Sequence, residues 1–133
     1  MFRICQSTHS NVKTIAESIK QTFRRADDKG FRIGGEEFVV MFDSKTKEGA
    51  KIVVENFMEF IKKQQVSHSH SNTGYLTVSA GLLIIEPGDM SVSYSKVFKE
   101  ADQLLYHMKE SGRNGYKFIH CVEENGRLVS LEN

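Results

Sequence analysis

The chain has 133 residues, enough for one hydrophobic core and too few for two, so residues 1–133 are expected to form a single domain. Eighteen Lys and Arg stand against seventeen Asp and Glu, and a net charge of +1 gives no general attraction to nucleic acid or to an acidic membrane. No apolar run reaches the length of a membrane span, and Met1-Phe2-Arg3-Ile4-Cys5 lacks a signal-peptide core; a cytoplasmic setting without membrane contact is expected, with Cys5 and Cys121 as reduced thiols.

In chain order, Val12, Ile15, Ala16, Ile19 and Phe23 recur at helical spacing and predict a helix over Asn11–Arg24, capped by Ser10 or Asn11. A polar break at Arg25–Gly30 follows. Phe31–Ile33 and Glu37–Phe42 are short strand-like runs around Gly34-Gly35, which predicts a hairpin. Lys45–Gln65 reads as a long helix with Ala50, Val53, Val54, Phe57, Met58, Phe60 and Ile61 inward. Small residues over Ser67–Gly74 predict a loop, in which two histidines, His68 and His70, lack the partners a metal site needs. Tyr75–Ile85 reads as a buried strand, and Ser93–Glu110 as a helix with Val97, Ala101, Leu104, Leu105 and Met108 inward and Gly112 as its stop. Tyr116–Val122 and Arg127–Leu131 are strands joined through Asn125-Gly126. This order predicts an α+β domain, a mixed and mostly antiparallel sheet flanked by helices.

The richest stretch is Arg32-Ile33-Gly34-Gly35-Glu36-Glu37-Phe38. Two glycines at a hairpin tip let a ligand approach the backbone, and two acids beside them can hold a hard cation through oxygen. The stretch resembles the signature loop of GGDEF domains in its Gly-Gly-Glu-Glu-Phe form. Two further landmarks lie in the same order as in that family: Thr77-Val78-Ser79-Ala80-Gly81, and Ala101-Asp102 through Leu105-Tyr106 and Lys109 to Gly112-Arg113-Asn114. The resemblance covers roughly Asn11 to Lys117.

The resemblance implies a diguanylate cyclase type of activity, two GTP giving cyclic di-GMP and pyrophosphate, with a nucleotidyl-cyclase-like palm and a homodimer for catalysis. It implies magnesium or manganese on Glu36 and Glu37, with Glu36 also favouring attack by a ribose 3′-hydroxyl. Gly34 and Gly35 would clear space for the nucleotide, and Lys109 and Arg113 would contact its phosphates. Arg25 and Asp28, an Arg-x-x-Asp pair upstream of the signature, match the family's inhibitory site for cyclic di-GMP. Without the resemblance, Lys109 and Arg113 read as a helix end complementing its dipole, and Arg25 and Asp28 as a solvated salt bridge.

The sequence also departs from the family. The first strand with its terminal Asp, the Asp-x-Asp-x-Phe-Lys-x-x-Asn-Asp run and the Gly-His-x-x-Gly-Asp run are missing, and Met1–Ser10 contains no acidic residue. A truncated or degenerate domain is therefore expected, with Phe2–Cys5 as a substitute strand or two copies exchanging strands. The chain alone is expected to be weak or inactive as a cyclase; the alternative is a non-catalytic module that senses cyclic di-GMP or GTP, or that dimerises.

Overall fold

A computed structural model describes residues 11–69, 73–89 and 91–131, and the backbone of residues 2–5. The elements run β1 (Phe2–Cys5), α1 (Val12–Thr22), β2 (Lys29–Gly34), β3 (Glu37–Met41), α2 (Lys47–Lys63), β4 (Ser79–Glu86), α3 (Tyr94–Glu110), β5 (Gly115–Glu124) and β6 (Arg127–Ser130).

The strands form one sheet in the order β2-β3-β1-β4-β5-β6. All neighbours are antiparallel except β4 and β5, which α3 joins as parallel strands. β3 lies between β2 and β1, so β1, α1 and β2 make a split βαβ unit. The short β1 sits at the centre of the sheet, with Phe2 opposite Val40 and Leu82, and Cys5 opposite Glu37 and Ser79.

Alternation along the strands sends side chains to two different cores. On one face, Ile15 and Ile19 of α1 and Val54, Phe57 and Ile61 of α2 cluster with Phe38, Val40, Ala80 and Leu82. On the other, Val97, Ala101 and Leu104 of α3 cluster with Leu83 and Cys121. α3 lies so close to the sheet that a Cβ on Gly81 would stand 2.5 Å from the Ala101 carbonyl oxygen and 2.7 Å from the Leu105 nitrogen. Only glycine permits that approach.

The helices begin where their caps place them. Thr46 accepts a hydrogen bond from the Gly49 N–H at 2.9 Å, and Ser93 accepts one from the Lys96 N–H at 3.3 Å. Asn11 precedes α1 without giving a side-chain cap, and Ser10 lies outside the described residues. No helix of the described residues is long and apolar enough to cross a membrane.

Two local expectations are corrected. The strand expected from Tyr75 begins at Ser79. Leu76 and Val78 are buried, but their segment is tied by a bridge between Ser67 and Tyr75 and not by the main sheet. Apolar and β-branched content reported burial there, and not strand pairing. Phe60, expected inward, is 37% exposed, because α2 buries the line Ala50, Val54, Phe57, Met58 and Ile61 and Phe60 falls to its side.

Candidate functional site

The β2–β3 hairpin turns on Gly34 and Gly35, whose φ angles of 141° and 50° both lie in the region that favours glycine. Nothing lies within 4 Å of a Cβ built on Gly34, so its glycine is set by backbone conformation, and the tip stands open. The Arg32 Nε donates to the Gly35 carbonyl at 2.7 Å, folding a guanidinium over the turn. Sequence reading missed that contact, which depends on the register shift between Arg32 and Gly34.

Glu36 and Glu37 follow the glycines and are half-buried. The Glu36 Oε2 is enclosed and has no hydrogen-bond donor. A carboxylate oxygen withdrawn from water is costly unless a donor or a cation meets it, so this atom marks a place suited to positive charge. Glu37 opens β3 and faces a cavity of about 410 Å³. The opposite wall is α3, which contributes Lys99, Asp102, Gln103, Tyr106 and Lys109. Their spacing puts them on one side of the helix.

The structure thus brings Glu37 and Lys109 to one cavity beside the hairpin tip. Arg113 lies past the end of α3, exposed and outside the lining of that cavity. Its φ of 66°, followed by 53° at Asn114, is held in a turn that Gly112 opens and in which the Arg113 N–H donates to the Met108 carbonyl at 3.1 Å. Lys99, Gln103 and Tyr106 were missed as lining residues. Their repeat with Lys109 along one helix side was the available signal, but a solvated polar stripe has the same pattern.

Arg25 and Asp28 sit elsewhere, in the turn after α1. The Arg25 backbone N–H donates to Asp28 Oδ2 at 3.1 Å, and the Asp28 N–H donates to the Arg25 carbonyl at 3.0 Å. The Arg25 guanidinium turns away to the Asp43 carbonyl at 3.5 Å. The two residues therefore shape a turn and are not a side-chain ion pair. With Arg24, Phe42 and Asp43 they line a separate cavity of about 290 Å³.

Among the described residues no three His, Cys, Asp or Glu side chains converge as a ready metal cage. Two adjacent carboxylates, one with an unmet oxygen, still fit magnesium, which usually takes one or two carboxylates and completes its shell with phosphate and water. The β1 ladder offers no third, since the residue opposite Glu37 is Cys5.

Comparison with known proteins gives the family and the fold. Residues 6–115 match the family described as diguanylate cyclase, GGDEF domain. The chain is 30% identical over 106 residues to the bifunctional diguanylate cyclase/cyclic di-GMP phosphodiesterase MucR of Pseudomonas aeruginosa, covering 79% of this chain and 15% of that protein. It is 29% identical over 106 residues to the diguanylate cyclase DgcS of Shewanella oneidensis, covering 80% of this chain and 33% of that protein. The chain thus spans a third or less of these relatives' length. Among solved structures, the GGDEF domain of DgcB from Caulobacter crescentus, in complex with c-di-GMP, superposes with a TM-score of 0.71 at 20% identity, covering 88% of this chain and 75% of that one. The active GGEEF domain of a diguanylate cyclase from Vibrio cholerae superposes with a TM-score of 0.62 at 17% identity, covering 94% and 82%. These two structural likenesses speak for the fold.

Proposed function

The chain belongs to the diguanylate cyclase GGDEF domain family, and from that premise we propose that it is a cytoplasmic domain of cyclic di-GMP signalling, of the type that joins two GTP molecules. The observation that carries this reading is the meeting of Glu37 and Lys109 on one cavity beside a tip where Glu36 keeps an unmet oxygen. Negative and positive groups side by side are what a metal–triphosphate ligand requires.

In this reading Gly34 and Gly35 leave room for the nucleotide at the tip. Lys109 and Arg113 hold phosphate oxygens, Lys109 from the cavity wall and Arg113 from the turn beyond it. Glu36 and Glu37 hold magnesium or manganese, which when bound neutralises phosphate charge and polarises the α-phosphate. Glu36 accepts the proton of the 3′-hydroxyl as the new O3′–P bond forms and the bond to pyrophosphate breaks. A single site holds one nucleotide, so the reaction needs a second copy facing the first, with the reacting atoms in line. Arg25 and Asp28, with Arg24 beside them, form the product-binding site in the turn after α1.

One observation favours a binding role for this chain by itself. The strand position opposite Glu37 carries Cys5, and Met1–Ser10 supplies no carboxylate. The expected result is magnesium-dependent GTP binding with little or no turnover by the 133-residue chain. Incubation with GTP and magnesium, followed by chromatography of the products, tests this. Strong turnover that disappears in Glu37→Gln would show that the first-strand carboxylate is dispensable. Failure to bind GTP at all would overturn the proposal.

A further inference from the structure

The chain carries two Asn-Gly pairs, Asn114-Gly115 and Asn125-Gly126. In such a pair the main chain can attack its own side chain, because glycine puts no Cβ in the way of its nitrogen. The glycine nitrogen bonds to the asparagine Cγ and gives its proton to water. The bond from Cγ to Nδ2 breaks and ammonia leaves. Water then opens the cyclic imide at either carbonyl, leaving aspartate or isoaspartate. Both asparagines are exposed and left-handed, with φ of 53° at Asn114 and 51° at Asn125. The surroundings of Asn125 set it apart.

Asn125 and Gly126 are the whole of the loop between β5 and β6, since Glu124 lies opposite Arg127. Their φ angles of 51° and 76° are those of a tight hairpin turn. The connection between β4 and α3 takes both of their amides. The Asn125 N–H donates to Asp89 Oδ2 at 3.0 Å, and the Gly126 N–H donates to Ser91 Oγ at 2.7 Å. The Ser91 hydroxyl in turn donates to Asp89 Oδ1, which also accepts the Ser91 N–H at 3.1 Å. The Lys96 Nζ donates to the Gly126 carbonyl at 2.8 Å. The atom that would attack, the Gly126 nitrogen, is therefore held by the shortest of the contacts from the two amides. Ring closure needs that nitrogen and the Asn125 Cβ nearly eclipsed about the Cα–C bond. The chain cannot turn so far while both amides stay bonded.

We propose that Asn125 is a site of spontaneous conversion to aspartate or isoaspartate, gated by the clasp that Asp89 and Ser91 form on the hairpin. Conversion proceeds from the opened hairpin, so its rate follows the population of that local opening. The product then keeps the clasp open. It adds a carboxylate to a corner that already holds Asp89, Glu123 and Glu124, and like charges repel. Isoaspartate also routes the main chain through the side-chain carbon, and the lengthened turn no longer fits between Glu124 and Arg127. The hairpin is thereby released from the start of α3, where Lys96 lies. Asn114-Gly115 lies at the other end of β5, outside the clasp, and serves as an internal reference.

The test is incubation of the 133-residue protein at neutral pH, with tryptic mass spectrometry at intervals. Trypsin cuts after Arg113, Lys117 and Arg127, so residues 114–117 and 118–127 report the two pairs separately. Conversion at Asn125 should be roughly tenfold or more slower in the folded chain than in a synthetic peptide of residues 118–127. Ser91→Ala should speed it roughly three- to tenfold, as for one lost hydrogen bond, and leave Asn114 at its original rate. Equal Asn125 rates in Ser91→Ala and the unaltered protein would overturn the proposal. Equal acceleration at both pairs would also overturn it, by assigning the effect to general loosening. So would conversion in the unaltered chain as fast as in the peptide, a comparison that stands however the variant folds.

Discussion

At one end of the central strands, β1 carries its ladder down to Glu37 and Ser79, and the hairpin tip beyond is polar and open. At the other end β3 runs on to Met41 and β4 to Glu86, beyond the residues opposite Phe2, and they border a cavity of about 550 Å³ with a mixed polar and apolar lining. At the hairpin end Glu37 and Lys109 line one cavity, and the Glu36 Oε2 beside it is enclosed without a hydrogen-bond donor. The other end mixes apolar residues such as Leu83, Ile85 and Val97 with Asp43, Lys45, Lys47 and Glu86. The two ends of one sheet therefore differ in their linings, a carboxylate facing a helix lysine at one and a mixture of both charges with apolar residues at the other.

α3 serves both ends, lending Lys109 to the first and Val97 to the second, so the largest effect should come from unseating it. Gly81→Val drives side-chain atoms into the Ala101 carbonyl and should cost about 3 kcal/mol, near the top of the overpacking range. Urea denaturation measures it, and an unchanged midpoint would mean that α3 does not rest on Gly81. Next, Lys109→Ala should weaken magnesium–GTP binding roughly ten- to hundredfold, as for one charge-assisted hydrogen bond. Equal affinity of the two proteins for magnesium–GTP in calorimetry would remove Lys109 from the site.

Arg25→Ala should weaken cyclic di-GMP binding about tenfold and leave GTP binding as it was. Equal affinity for cyclic di-GMP in calorimetry of the two proteins would reduce Arg25 and Asp28 to the turn they form.

The smallest effect concerns the β5–β6 hairpin, away from the Glu37–Lys109 cavity. Asp89 accepts hydrogen bonds from the Ser91 hydroxyl and from the Asn125 N–H, the latter at 3.0 Å, and these hold its carboxyl below the ordinary Asp value. A lowered folded-state value gives stability that is present above the unfolded value and lost as pH falls through the folded one. Asp89→Asn should therefore flatten the acid limb of the melting-temperature profile slightly. An acid limb identical to that of the unaltered protein would remove Asp89 from the account.

Much of this could be read from the sequence, for identifiable reasons. Helical spacing marked all three helices, because their buried stripes are continuous. Gly34-Gly35 marked the hairpin, because consecutive left-handed residues at a turn call for glycine. Lys109 was found through its resemblance to a family landmark, whereas Lys99, Gln103 and Tyr106 on the same wall were not, since one helix side looks alike to solvent and to a ligand. The Arg25–Asp28 spacing was visible, but the side-chain pairing was not deducible: Asp28 was equally able to take the Arg25 backbone N–H, and does. The cavity beside β4 was invisible, because its lining joins β3, β4, α2 and α3, which lie far apart in sequence. Burial at Leu76 and Val78 looked like strand for a related reason, since apolar content reports the core and pairing is decided by neighbours.

The central claim is that the hairpin tip and α3 together hold a metal–GTP complex, with the enclosed Glu36 oxygen turned to the metal. Calorimetric titration with GTP, with and without magnesium, on the unaltered chain and on Glu36→Gln tests it most directly. Magnesium should strengthen GTP binding to the unaltered chain, and Glu36→Gln should lose most of that gain while keeping its metal-free affinity. A magnesium gain of equal size in both proteins would contradict the account.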